Sequence, residues 1–117
     1  DSFNYDPALS EVRMERCIEL KAYTFMYSSG LQKVAMPSLQ KIGKHCFGDS
    51  GLSTASFPQC TFCGKFAFSL CAIRSIDLGT CKDFEDNVFA YQRGSMKLKC
   101  GLTRKEKEEK FKRMFLS

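Results

Sequence analysis

Five of the eleven phenylalanines, Phe3, Phe25, Phe47, Phe68 and Phe89, recur at intervals of 22, 22, 21 and 21 residues. A period in that range marks a stack of supersecondary units, and other apolar columns keep the same register. Leu9, Leu31, Leu52 and Ile73 lead. Val12, Val34, Ala55, Ile76 and Leu98 follow three residues later, and Met14, Met36, Phe57, Leu78 and Cys100 two after that. Cys17, Leu39, Cys60 and Cys81 form the next column, followed by Leu20, Ile42, Cys63 and Phe84. A unit this short cannot bury its own apolar side chains, so the units must stack with like columns in ladders.

Each unit thus reads L-x-x-L-x-L. Its last two apolar positions alternate with polar ones, as in a short strand with one face turned inward. The pattern predicts an α/β solenoid with one parallel strand per repeat of about 21 residues. Strands are expected near residues 9–14, 31–36, 52–57, 73–78 and 95–100. Gly30, Gly51, Ala72 and Gly94 precede them, where a small residue suits close backbone approach. Pro37, Pro58, Gly79 and Gly101 follow and end them. The segments carrying the Phe column are expected to return as short helical or irregular turns.

The central units resemble a known family. Ile42-Gly43-Lys44-His45-Cys46-Phe47, followed by Leu52 and Phe57-Pro58, is similar to the BspA-type leucine-rich repeat, I-G-x-x-A-F-x-x-C-x-x-L-x-x-I-x-L-P. The unit from Cys63 to Gly79 is closer still, departing mainly at those two residues. Ser95 interrupts the Leu column, and Lys21 and Glu85 stand where the motif has Gly. The resemblance covers residues 3–101. It implies a leucine-rich-repeat domain over 1–101, with about four to five repeats of which the first is truncated. It also implies an interaction module of a kind often found on cell surfaces.

The two ends of the chain read differently. Phe3 already occupies the Phe column, so the chain begins inside a repeat and further repeats are expected before it. An uncovered solenoid end carries unpaired strand edges, and self-association is the expected liability there. At the other end, Thr103-Arg104-Lys105-Glu106 has the form of a capping box. Phe111, Met114 and Phe115 follow at helical spacing, predicting a basic amphipathic capping helix within 102–117. The alternative is a solvated tail.

Lys+Arg 18 against Asp+Glu 13 gives a net charge of +5. Arg104, Lys105, Lys107, Lys110, Lys112 and Arg113, offset by Glu106, Glu108 and Glu109, supply +3 of it. The repeat body is therefore only mildly basic, which disfavours nucleic acid as the partner of a folded face. No apolar run is long enough for a membrane span.

The seven cysteines invite a reading as chemistry. Cys60-x-x-Cys63, with Cys71 and Cys81 nearby, could pass for a zinc site. Cys60 and Cys81 share a column on adjacent units, within about 5 Å between Cα atoms, which is bridging range. Both readings compete with packing, because each of these cysteines fills a core column and free Cys behaves as a small hydrophobe. Packing is favoured: no metal, no cofactor and no disulfide is assigned. Such thiols suit a reducing compartment, whereas the family resemblance points to the cell surface, so the compartment stays open. His45, the only histidine, falls in a variable column expected to face solvent, with no local nucleophile or carboxylate to make a catalytic set. No phosphate-binding glycine loop occurs either. The chain reads as a non-enzyme.

The outward residues of the strands offer a different kind of site. They are Glu11 and Arg13, Lys33 and Ala35, Thr54 and Ser56, Ser75 and Asp77, and Lys97 and Lys99. Repeat proteins commonly hold partners on such a continuous surface. Arg13, Lys33, Thr54, Ser56, Ser75, Asp77, Lys97 and Lys99 are accordingly the candidate contacts for a protein partner. The alternatives are RNA or ribonucleoprotein attachment through the basic C-terminal helix, and cell-surface adhesion.

Overall fold

The structure, a computed structural model, describes residues 10–111 and the backbone of 115–116. Phe3 and Leu9, and with them the expected truncated first repeat, lie outside the described residues. The elements run β1 (Glu11–Arg13), β2 (Glu19–Leu20), β3 (Lys33–Ala35), β4 (Lys41–Ile42), β5 (Thr54–Ser56), β6 (Phe62–Cys63), β7 (Ser75–Asp77), β8 (Asp83–Phe84), β9 (Met96–Lys99), α1 (Arg104–Phe111) and β10 (Phe115–Leu116). They form a parallel-strand solenoid of the leucine-rich-repeat kind.

The strands expected from the L-x-x-L-x-L pattern make one sheet in the order β1-β3-β5-β7-β9-β10. Pairing is parallel and in column register: Val12 faces Val34, Val34 faces Ala55, Ala55 faces Ile76, and Ile76 faces Leu98. All five are buried. A second sheet, β2-β4-β6-β8, runs along another side of the coil. Its strands are two residues long and turn the Leu20, Ile42, Cys63 and Phe84 column inward. Each turn from the first to the fourth therefore carries two strands, one more than the sequence pattern reveals.

The core lies between these sheets and the returning segments. Phe25, Phe47, Phe68 and Phe89 stack in one inner row, with successive centroids 5.3, 5.4 and 5.4 Å apart and planes within 12° of parallel. The return segments are turns, not helices. In each, two residues adopt left-handed backbone: Tyr23, His45, Phe66 and Asn87 in one column, and Tyr27, Asp49, Leu70 and Tyr91 in the other, with φ between 51° and 67°. Such a conformation costs a side-chain-bearing residue about 1–2 kcal/mol. Backbone hydrogen bonds between turns offset that cost. The N–H groups of Phe25, Phe47 and Phe68 donate to the carbonyls of Cys46, Ala67 and Val88, each at 2.8 Å.

The small residue before each strand has more than one origin. A Cβ at Gly51 would stand 2.2 Å from the Ser29 carbonyl oxygen, so close backbone approach demands glycine there. Gly94 has open space around it but a φ of +84°, and its freedom of conformation is what the turn uses.

At the C-terminal end the capping box forms as its residues predict. Thr103 N–H donates to Glu106 Oε1 at 2.8 Å, and Glu106 N–H donates to Thr103 Oγ1 at 3.2 Å. The apolar helical face expected from Phe111, Met114 and Phe115 does not form. The described helix is Arg104–Phe111, Phe115 belongs to β10, and Met114 lies outside the described residues. The reason is compositional: Arg104–Lys110 contains no apolar residue, so α1 has no stripe to lay on the core. Phe111 alone closes the stack, edge-on to Phe84 and Phe89 with centroids 5.1 Å away in both cases. The chain then returns to pair β10 with β9, Phe115 opposite Met96 and Leu116 opposite Lys97, covering an edge that would otherwise be unpaired.

Candidate functional site

Each long strand buries its middle residue and turns the two flanking residues outward. Parallel register converts that alternation into two rows. Glu11, Lys33, Thr54, Ser75 and Lys97 form one, and Arg13, Ala35, Ser56, Asp77 and Lys99 the other. Neighbours within a row are one strand spacing, about 4.8 Å, apart. The structure thus gathers Arg13, Lys33, Thr54, Ser56, Ser75, Asp77, Lys97 and Lys99 on a single face.

The surface is shallow. A depression of about 240 Å³ lies over β1, β3, β5 and β7, with Lys33, Thr54, Ser56 and Ser75 in its lining. A second, of about 330 Å³, is bounded by Ser75, Asp77, Lys97, Lys99 and Lys107. Lys107 was not among the residues the strand pattern singles out. Its Nζ donates to the Leu98 carbonyl at 3.0 Å, which brings the helix against the end of the sheet. The character of the face changes along its length, from hydroxyl groups at the centre to three lysines at the C-terminal end. Two of the candidates also serve the scaffold. Asp77 Oδ1 accepts from Gly79 N–H at 2.8 Å, bracing the turn after β7. Arg13 Nε pairs with Glu15.

The corner columns carry a feature that sequence reasoning missed. His45 does not face solvent freely: it is half-buried, stacked between Tyr23 at 5.2 Å and Phe66 at 5.1 Å with nearly parallel rings. Lys44 Nζ stands 5.9 Å from the Tyr23 ring centroid. Beside this ladder Tyr27, Leu70 and Tyr91 are exposed, Tyr91 by 71%. The column mixes Tyr, His, Phe and Asn, so no shared residue type announces it. Histidine held between two rings has a packing role, and no nucleophile or carboxylate contact accompanies it among the described residues.

The cysteines divide into two groups. Cys60, Cys63 and Cys81 bring their Sγ atoms within 4.8 Å of one another, and Cys60 Sγ lies 3.9 Å from Cys63 Sγ. Cys71 stands apart, donating to the Phe47 carbonyl at 3.1 Å and touching Ser50 Oγ at 3.6 Å. All seven thiols are free. Hydrogen bonds from Cys63 and Cys81 pull the Cys60 thiol well below its ordinary range. Burial pushes Cys63 well above that range, and the hydrogen bond to Cys60 pushes Cys81 up to about 12. Burial above all raises Cys46, also to about 12, as expected of a structural thiol.

Among the described residues, no helix is long and apolar enough to cross a membrane. No curated protein and no solved structure matches the chain. A family model does: six copies of the BspA-type leucine-rich repeat span residues 3–112. Its match extends past the last Phe column into α1, as the fold does. With in-register parallel strands, stacked phenylalanines and this match over most of its length, the chain belongs to the BspA-type leucine-rich repeat family.

Proposed function

We propose that the chain is a non-catalytic module that holds a protein partner on its long-strand face. Repeats of this family build interaction or adhesion modules and are generally not enzymes. The observation that carries the reading is the pair of unbroken outward rows on β1, β3, β5, β7 and β9, in which polar side chains from five turns share one surface. A partner contacting it would meet Thr54, Ser56 and Ser75 at the centre and Lys97, Lys99 and Lys107 at one end. Hydroxyl groups with short side chains bring little rotamer entropy to lose, which suits the middle of a contact. The basic end favours acidic groups opposite it.

RNA attachment through the C-terminal helix draws little support. Arg104 pairs with Glu108 at 3.6 Å, Lys107 is directed to the Leu98 carbonyl, and α1 interleaves acidic residues among its basic ones. Such a helix lacks the concentrated positive field that phosphate backbones require. Adhesion is a use of the same face rather than a separate mechanism.

The test is capture from an extract of the source cells by immobilised wild type and by the double variant Thr54→Arg, Ser75→Arg. Loss of specific capture with retained folding is the expected result, and undiminished capture rejects the face. Tyr91→Asp serves as the comparison: loss there alone would move the contact to the aromatic corner.

A further inference from the structure

Cys63 occupies a column otherwise filled by Leu20, Ile42 and Phe84, and Cys60 and Cys81 occupy adjacent turns of the column next to it. Where a large apolar side chain would fill the corner between these columns, three sulfurs face one another instead. Their mutual distances, all within 4.8 Å, suit a common ligand. An ion about 2.3 Å from each sulfur at the centre of an equilateral triangle would set the sulfurs about 4.0 Å apart. The Cys60–Cys63 distance of 3.9 Å already meets that spacing, and a small rotation of Cys81 closes the rest.

From this cluster we infer a binding site for one soft, monovalent d10 metal ion, Cu(I), held by the thiolates of Cys60, Cys63 and Cys81. The donor count decides between ions. A structural zinc site takes four protein ligands, and among the described residues no fourth Cys, His, Asp or Glu joins this group. Thiolate sulfur selects Cu(I) strongly, and a three-sulfur set satisfies it without water. The sulfurs are almost fully shielded, at 1%, 0% and 1% exposure for Cys60, Cys63 and Cys81, which would protect Cu(I) from oxidation. They nevertheless lie only one residue below the surface, because Gln59 and Thr61 flank Cys60, Thr80 and Lys82 flank Cys81, and all four are exposed. Binding exchanges thiol protons for the ion and releases them to solvent, so affinity rises with pH. The site is independent of the strand face and of any partner there.

The experiment is anaerobic titration of the fully reduced chain with Cu(I) against a competing chromophoric chelator, followed by X-ray absorption at the copper edge. One tightly held equivalent surrounded by three sulfurs at about 2.3 Å is the expected result. Cys60→Ser, Cys81→Ser and Cys63→Ala should each weaken binding by more than the roughly 10–100-fold that loss of an outer-shell partner costs. Cys71→Ala and the double variant Cys17→Ser, Cys100→Ser should bind as wild type. Absence of tight binding overturns the inference, as does a wild-type spectrum with fewer than three sulfurs. Unaltered affinity in any folded variant of the trio does the same, and so does displacement of copper by an equimolar amount of Zn(II). The wild-type spectrum decides the matter even where a variant fails to fold.

Discussion

Phe47 and Phe68 stack with centroids 5.4 Å apart and planes 4° from parallel, both fully buried and 21 residues apart in sequence. Each also touches Phe57, so the stack is tied to the strand side of the core as well as to its own row. Truncating a buried phenylalanine costs about 3–5 kcal/mol. Phe68→Ala should fall in that range and Phe47→Ala beside it, measured by urea unfolding. A cost under about 1 kcal/mol for either would contradict the inner row.

Two glycines separate steric crowding from backbone strain. A Cβ at Gly79 would lie 2.1 Å from the Pro58 carbonyl oxygen, and φ there is +60°. At Gly94 φ is +84° but nothing lies within 4 Å. Gly94→Ala should therefore lose only the left-handed penalty of about 1–2 kcal/mol, and Gly79→Ala distinctly more. Equal losses in thermal unfolding would show that the Pro58 contact relaxes freely.

The legible part of this fold was its inner columns. A column that repeats one kind of residue, such as Phe25 to Phe89 or Val12 to Leu98, declares an environment shared by every turn. The second sheet was hidden because Glu19–Leu20 and its counterparts are too short to display an alternation. The thiol cluster was mostly visible: the C-x-x-C spacing joins Cys60 to Cys63 and the shared column brings Cys81 beside Cys60, but Cys71, near them in sequence, packs against Phe47 and Ser50 instead. His45 was misread because its neighbours Tyr23 and Phe66 differ from it in type though not in shape. The C-terminal face failed for another reason. Phe111 and Phe115 have helical spacing, but Arg104–Lys110 offers no other apolar residue to make a stripe with them, and Phe115 belongs to β10.

Gln92 acts as a piece of surrogate backbone. Its Nε2 donates to the Ile73 carbonyl at 2.7 Å and its Oε1 accepts from Ile73 N–H at 3.2 Å. Removing it leaves both groups of a buried residue unpaired, at about 1–3 kcal/mol each when water cannot reach them. Gln92→Leu should destabilise by more than about 1 kcal/mol, and amide hydrogen exchange at Ile73 should accelerate. Protection unchanged at that amide would disprove the pairing.

Acid should weaken the C-terminal cap before it affects the rest. The Thr103 backbone N–H holds the Glu106 carboxyl below its ordinary 4.5, with the Thr103 hydroxyl adding to the effect. A carboxylate depressed in the folded state contributes stability that is complete above its unfolded value and disappears as pH falls through the folded one. Glu106→Gln should remove that part of the pH dependence below about 4.5 while leaving the neutral range nearly level. Thr103→Ala should cost about 1 kcal/mol at neutral pH. Helix content followed by circular dichroism from about pH 7 down to about pH 3, a range that takes in the neutral plateau and the loss below about 4.5, checks both.

One more residue lies between Phe89 and Lys97 than between Phe68 and Ser75, yet Lys97 and Ser75 stand opposite each other in the sheet. The surplus is taken up around Gly94, where nothing crowds the backbone. That corner is therefore the natural port for foreign sequence. A loop grafted there would hang clear of the coil, and the strands on either side would keep their partners.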